Sequence, residues 1–348
     1  MFDCAKDVLS YHDDEVTLPR AEQKNMRGRR DANRTRLKDA GRSAPESFDT
    51  QGSYAMRTMV QLPDKDWDID DGVYFAAEDL KTESGGEMSA LEARQMVRDA
   101  VDDASFKKKP EVRTNCVRVA YGDGHRVDLP VYRVRIERSA SSRETTIVEL
   151  ASAEWKRSDA REVTYWFNEE NEKQSPDTDN GRQLRRITRD LKKYARSRAS
   201  WGEHILCGFG ITKLVTECFR GSAIREDESL VNTMRAIRDR FEQHLVIKHP
   251  VTPDETITNG SNDSSARFFR DQIAEALESL KILDDPSCER SQALAAWDKV
   301  YATDYFSKRD ETKARAADAA SIAAPAILTS RPQVVPPAVR REGGGRYA

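Results

Sequence analysis

The chain has 348 residues, enough for one large or two closely packed domains, and its 34% charged against 38% apolar content describes a polar protein with exposed helices. A net charge of −3 gives no global pull toward nucleic acid or membrane, which disfavours a long polynucleotide substrate. No stretch reaches the ~20 apolar residues of a membrane span, the start lacks a secretory leader's apolar run, and cysteines at 4, 116, 207, 218 and 288 without Cys-x-x-Cys spacing read as reduced thiols of a cytoplasmic protein without a zinc site.

Residues 1–18 read as an irregular or partly ordered arm. From Pro19 to about Lys38 the run is helical, with a thin buried face at Met26 and Leu37. Its arginines (27, 29, 30, 34 and 36) read as a solvated face paired with nearby acids rather than a nucleic-acid patch. Thr50-Gln51-Gly52-Ser53 is a Gly-Ser turn. After a short gap comes a strand through Trp67-Asp68-Ile69-Asp70-Asp71-Gly72-Val73-Tyr74-Phe75, where alternation puts Asp68 and Asp70 on one face and Ile69 in the core. Ser89-Ala90-Leu91-Glu92 is a capping box, and the helix it opens is expected to bury Leu91, Met96, Val97, Ala100 and Val101.

Strands follow over Asn115–Tyr121, His125–Glu137 and Thr146–Leu150, the first two joined by Gly122-Asp123-Gly124 as a hairpin. In the second, Val127, Leu129 and Val131 share one face, and Asp128, Pro130 and Tyr132 the other. After Leu150 the pattern turns helical. Ser158 or Asp159 caps a helix to about Asn171, and a polar linker from Glu172 to Gly181 leads into a basic helix of about eighteen residues. Further helices are expected over Glu203–Phe219, Ser229–Val246, Ser265–Leu283 and Ser291–Ala302. The alanine-, proline- and glycine-rich end cannot support a packed core. The domain reading is therefore 1–18 arm, 19–150 mixed-sheet lobe with a long N-terminal helix, 151–310 helical lobe, and 311–348 disordered tail.

If the strands carrying Asp68, Asp70 and Asp128 are neighbours, three carboxylates converge, and their repulsion is relieved by cations. Magnesium suits such hard oxygen donors and leaves coordination positions for phosphate. Two ions about 3.5–4 Å apart stabilise both oxygens of an in-line displacement. Gly52-Ser53 adds an anion nest, with the Ser53 hydroxyl and Gln51 as further donors.

The Gln-Gly-Ser, Asp-Ile-Asp-Asp-Gly and Val-Asp-Leu-Pro-Val-Tyr segments resemble the bacterial cyclic-oligonucleotide synthases of the cGAS/DncV-like nucleotidyltransferase family, the CD-NTases of the polymerase-β superfamily. Trp155-Lys156-Arg157-Ser158-Asp159, Trp166-Phe167-Asn168 and the helix from Gln183 through Tyr194 continue the resemblance, over roughly residues 15 to 300 and closest to the DncV branch. The resemblance implies a two-lobed α+β fold with a mixed-sheet catalytic lobe, a helical C-terminal lobe, and a nucleotide cleft between them.

It also implies roles. Asp68, Asp70 and Asp128 would hold two Mg²⁺ ions (Mn²⁺ a substitute) and carry catalysis. Gln51, Gly52 and Ser53 would grip a triphosphate that Lys192 neutralises. Arg118 would contact a nucleotide and Ser158-Asp159 a base, with Tyr54 and Tyr194 as stacking candidates. Two departures, Met56 and the absence of a family serine around Trp201-Gly202-Glu203-His204, fall where bases are recognised. The implied activity is synthesis of a cyclic dinucleotide, cyclic GMP-AMP, from ATP and GTP in anti-phage (CBASS) signalling. The implied protein is a monomer, and a ubiquitin-transfer-like ligase would act on its end at Ala348. Another cyclic di- or trinucleotide, a template-independent RNA or protein nucleotidyltransferase, and an inactive nucleotide-binding scaffold remain as alternatives.

Overall fold

The structure is a computed structural model that describes residues 1–40, 43–62, 67–138 and 144–310. The chain divides at Ser307 into a large unit and a second one, Lys308–Ala348, of which only 308–310 are described. The tail at 311–348 thus lies outside the described residues. Among them, no helix is long and apolar enough to cross a membrane.

The elements run in this order: α1 (Ala5–Tyr11), α2 (Arg20–Asp39), β1 (Ser47–Gln51), α3 (Gly52–Ala55), β2 (Asp68–Ala76), α4 (Ala90–Val101), β3 (Glu111–Val112), β4 (Val117–Ala120), β5 (Arg126–Leu129), β6 (Val131–Arg138), β7 (Glu144–Ala151), β8 (Trp155–Arg157). Six helices follow: α5 (Ala160–Gln174), α6 (Gln183–Ala195), α7 (Gly208–Cys218), α8 (Glu226–Gln243), α9 (Ser264–Ser279) and α10 (Arg290–Tyr301).

All eight strands join one mixed sheet with β2 at its centre. β2 pairs antiparallel with β1, and parallel first with β5 and then with β6. Pro130 separates those two strands, and with no N–H to give it ends the β5 ladder, while its carbonyl still accepts from Val73 N at 2.8 Å. The apolar side chains of Ile69, Val73, Val127 and Leu129, each no more than 1% exposed, form the core beneath the sheet. β8 pairs with β7, so the sheet extends past Leu150, the boundary read from the sequence.

α2 and α4 pack against that core. Met26 and Leu37 are buried as expected. The arginines of α2 do meet acids: Arg29 pairs with Asp123, Arg36 with Asp103, and Arg34 donates to the buried Asp71 from Nε at 2.7 Å. The last of these accounts for the second aspartate of Asp70-Asp71, which points away from Asp70 and is neutralised from behind. The capping box of α4 is present. Its buried face is Ala90, Ala93, Arg94, Val97 and Val101, whereas Leu91 is 47% exposed, contrary to the sequence expectation. These positions recur at helical spacing, and Leu91 lies one residue, about 100°, off that stripe.

The helical lobe is built around α6. This helix begins at Gln183, within a residue of the expected start, because Asn180, Gly181 and Arg182 all have positive φ; it ends at Ala195 after 13 residues, short of the expected eighteen or so. Leu184, Ile187 and Leu191 are fully buried. α7 starts later than predicted, at Gly208; Ala199–Trp201 is a short 3₁₀ turn.

The arm at 1–18 is a correction to the sequence reading. It forms α1 and a π-helical turn at His12–Val16, and Cys4, Val8, Tyr11 and Val16 belong to the helical-lobe core. His12 Nδ1 meets Asp190 Oδ1 of α6 at 2.6 Å with both side chains buried. The Tyr11 ring lies 5.0 Å from Phe306 and 4.5 Å from Tyr301. The sequence shows no pattern here because the segment is short and its partners lie nearly 300 residues away. Tyr11→Ala is expected to destabilise the protein by about 3–5 kcal/mol, as for other buried aromatics. A denaturant midpoint equal to wild type would show the arm to be detachable.

Candidate active site

The parallel pairing of β2 with β5 sets the site. Its register places Asp68 opposite Arg126 and Asp70 opposite Asp128. Side chains at i and i+2 of a strand share a face, so Asp68, Asp70, Arg126 and Asp128 all stand on the side away from the apolar core. Burial raises the Asp70 carboxyl to about 7, with the Asp68 and Asp128 charges adding to the shift. Burial and Asp128 likewise raise Asp68, against the lowering effect of Arg126 and Arg118. The three acids predicted from sequence therefore do feel one another.

Asp128 is not free. Arg118, its partner across the β4–β5 hairpin, donates to it from Nε at 2.8 Å and Nη2 at 2.6 Å. Such a planar, two-bond pair is strong and directional. Arg118, expected to contact a nucleotide, is thus spent on Asp128 here. Among the described residues, no group of three acids, histidines or cysteines is disposed as a metal centre as it stands, and this bridge is a physical reason.

The Gly-Ser turn lies directly beside Asp70. Gly52 has φ +63°, a conformation that favours glycine, and a Cβ there would overlap Asp70 Oδ2. Ser53 follows in α3, and its hydroxyl has no hydrogen-bond partner among the described residues. Gln51, assigned to the phosphate-gripping turn from the sequence, is 2% exposed, lies under the turn and does not line the cleft. Its Nε2 donates to Tyr74 Oη at 2.8 Å, and its Oε1 accepts from Tyr132 Oη at 3.1 Å. The two tyrosine rings stack at 4.6 Å. Gln51 therefore fixes where the turn begins.

A cleft of about 1710 Å³ opens between the sheet and the helical lobe. Gly52, Ser53, Asp68 and Asp70 line one side, with Ser158, Asp159 and Lys192 also in its wall; Gln51, Arg118 and Asp128 do not reach it. Lys192, on α6, is buried rather than an ordinary surface lysine. Its Nζ donates to Thr58 Oγ1 at 3.0 Å, no carboxylate pairs with it among the described residues, and burial lowers it to about 8. Arg185, two turns earlier, is buried too and donates from Nε to Met56 O at 2.9 Å and from Nη2 to Asn168 Oδ1 at 2.8 Å. Burial lowers it to about 10.

Asp159 is the N-cap of α5 and also the partner of Arg161, whose Nη2 donates to Oδ2 at 2.7 Å; Tyr74 Oη donates to Oδ1 at 3.4 Å. Its oxygens are largely occupied, whereas the Ser158 hydroxyl has no hydrogen-bond partner among the described residues. Tyr194, 2% exposed, is core, and Tyr54 Oη donates to Gln23 O at 3.1 Å; neither lines the cleft. The aromatic groups that do line it are Trp67, Phe209 and His249. The region of the absent serine, Trp201–His204, is not a helix start; the N-cap of α7 is Cys207, whose Sγ accepts from Gly210 N at 3.4 Å. Arg126 was missed although it alternates with Asp128 on one strand. Thr58, Phe209 and His249 carry no local signal, because only the tertiary fold brings them to the cleft.

A family model for the nucleotidyltransferase domain of cyclic GMP-AMP synthases of the DncV-like kind matches residues 46–132, the segment that supplies all three aspartates. Among solved structures, the cyclic AMP-GMP synthase DncV of Vibrio cholerae is similar at 14% identity, with a TM-score of 0.68 over 88% of this chain and 97% of that one. The same protein in complex with nonhydrolyzable GTP matches at 15% identity with a TM-score of 0.66, covering 86% and 96%. Escherichia coli DncV in a 3′-deoxy GTP bound form matches at 16% identity with a TM-score of 0.62, covering 82% and 92%. At these identities the likeness establishes the fold, two-lobed and polymerase-β-like. Residues 46–132 thus match a DncV-like nucleotidyltransferase domain, and the chain as a whole shares the fold of the DncV structures.

Proposed function

We propose that the protein joins ATP and GTP into a cyclic dinucleotide, cyclic GMP-AMP, with divalent cations at the aspartates. The observation that carries this reading is the β2–β5 register, which sets Asp70 opposite Asp128 with Asp68 on the same face, beside Ser53. The cleft also exceeds the ~300–1,000 Å³ of ordinary single-ligand pockets, which leaves room for two nucleotides. The Vibrio cholerae relative has been solved with a linear 5′ pppA(3′,5′)pG intermediate.

The residues fit the implied ions in part. Asp68 and Asp70 are half-buried, raised by burial and by neighbouring carboxylates, and offer hard oxygen donors short of positive charge. Asp128 fits only once Arg118 releases it. Bound there, divalent ions would supply Lewis acidity to a ribose hydroxyl and charge neutralisation to the departing pyrophosphate. The chain's own groups do the positioning. Ser53 Oγ and the amides of its turn bind phosphate oxygens, Lys192 Nζ adds a cation on the facing wall, and the wall around Ser158 orients a base. The family resemblance further supports a cytoplasmic monomer whose product signals in anti-phage defence. It also supports a ubiquitin-transfer-like ligase acting at Ala348, which lies outside the described residues.

Incubated with ATP, GTP and Mg²⁺ or Mn²⁺, the purified protein is expected to release pyrophosphate and form a phosphatase-resistant ring identifiable by mass. Asp68→Asn with Asp70→Asn should lower pyrophosphate release by at least ~100-fold, the scale of losing fixed electrostatic groups from a site. Label on a macromolecule, or no ring with any nucleotide pair, would sink the proposal. Lys192→Met should raise the melting temperature of the nucleotide-free protein at pH 7 while weakening triphosphate binding. Because burial holds the folded-state lysine near 8, folding at pH 7 confines a charge at some cost, and that cost fades as pH rises from about 8 toward the ordinary lysine value near 10.4. The gain in melting temperature should therefore shrink across that range; a gain independent of pH would remove the buried charge as its cause.

A further inference from the structure

His249 occupies a stretch of cleft wall that the proposed chemistry leaves without a task. It follows α8 in the loop before α9, is part-exposed, and lines the cleft together with Phe209, Val251 and Thr252. The imidazole stands edge-on to the Phe209 ring, with centroids 5.4 Å apart and planes at 64°. Three donors converge on one of its nitrogens. Thr252 Oγ1 lies 2.7 Å from Nδ1, Thr252 N donates to it at 3.2 Å, and Val251 N at 3.4 Å.

Two backbone N–H groups can only donate, so Nδ1 is the acceptor and the ring proton sits on Nε2. Burial lowers the group further below its ordinary value, which keeps the ring neutral and the tautomer single. Nε2 has no partner among the described residues. The loop itself is fastened across the cleft mouth, where Lys156 of β8 meets Glu255 at 3.0 Å, and it is closed on itself by His249 N donating to Glu255 O at 2.9 Å. The result is one N–H donor of fixed direction beside an aromatic ring, on the helical-lobe wall of a nucleotide cleft.

We propose that His249 is a specificity-determining residue that donates Nε2–H to the N7 acceptor of a purine held against Phe209, and so discriminates against cytosine. This deepens, and rests on, the reading of the cleft as a site for two nucleoside triphosphates. Both purines present N7 as an acceptor, whereas cytosine presents a donor at its exposed amino group, which a locked N–H cannot satisfy. A site built to hydrogen-bond one group rejects an analogue that lacks it, because its own polar atom is left unpaired.

The test compares ATP with 7-deaza-ATP and GTP with 7-deaza-GTP, which differ only in replacing N7 by C–H. Binding is measured by calorimetry with Ca²⁺, and turnover by pyrophosphate release with Mg²⁺. Wild type is expected to bind at least one deaza analogue ~5- to 10-fold more weakly than its parent, the effect of one neutral hydrogen bond. His249→Phe should bind parent and analogue alike, at the affinity wild type shows for the analogue. His249→Gln, whose amide can donate, should restore part of the preference and guards against a variant that merely misfolds. Equal binding of both pairs by wild type, or a deaza penalty that survives in His249→Phe, overturns the assignment. A deaza penalty in binding without any pyrophosphate release would uphold the base contact while defeating the synthase reading.

Discussion

Two strands running the same way, β2 and β5, bring Asp70 level with Asp128, and the remainder of the catalytic lobe follows from that pairing. Like charges at one height in a half-buried place are unfavourable. The protein meets the difficulty with cations placed around the cluster rather than within it. Arg118 takes Asp128 from the neighbouring strand β4, Arg126 stands opposite Asp68, and Arg34 neutralises Asp71 on the reverse face. Burial nevertheless raises both Asp68 and Asp70, against the opposing charges of Arg126 and Arg118 on the first and of Arg118 on the second.

A chain of hydrogen bonds ties the Gly52-Ser53 turn to the cleft wall at the start of α5. It runs from Tyr132 to Gln51, to Tyr74, to Asp159 at the start of α5. Each link is buried or nearly so, and groups of this kind are costly to leave unpaired, so the turn and the helix start are positioned together. Arg161 closes the chain by holding Asp159 and covering the Tyr74 ring at 4.3 Å.

Much of this was readable from residue order. Period-two alternation marked Asp68, Asp70 and Asp128 as sharing a face, and Ser89 with Glu92 announced α4. Alternation could not say which strands would be neighbours; the family resemblance supplied that. The misplaced roles share a cause. Gln51 and Arg118 are polar groups beside the motif, and local pattern cannot tell a group that touches substrate from one that holds another side chain. The arm was misread for a related reason: α1 is ordered by contacts with α8 and α10, from the far end of the chain, and isolated short helices have little stability of their own. His249 owes its place to the folding of a loop, and nothing adjacent in sequence marks it.

The residues from Gly52 to Thr58 have two masters. Gly52 sits against Asp70 on the sheet, while Arg185 grips the carbonyl of Met56 and Lys192 the side chain of Thr58, both from α6. Between the anchors, Arg57 already stands at φ +54°. Any sliding of the helical layer over the sheet must consequently be taken up inside this short span, so the spacing between the Ser53 hydroxyl and the aspartates acts as a gauge of how far the two halves have shifted.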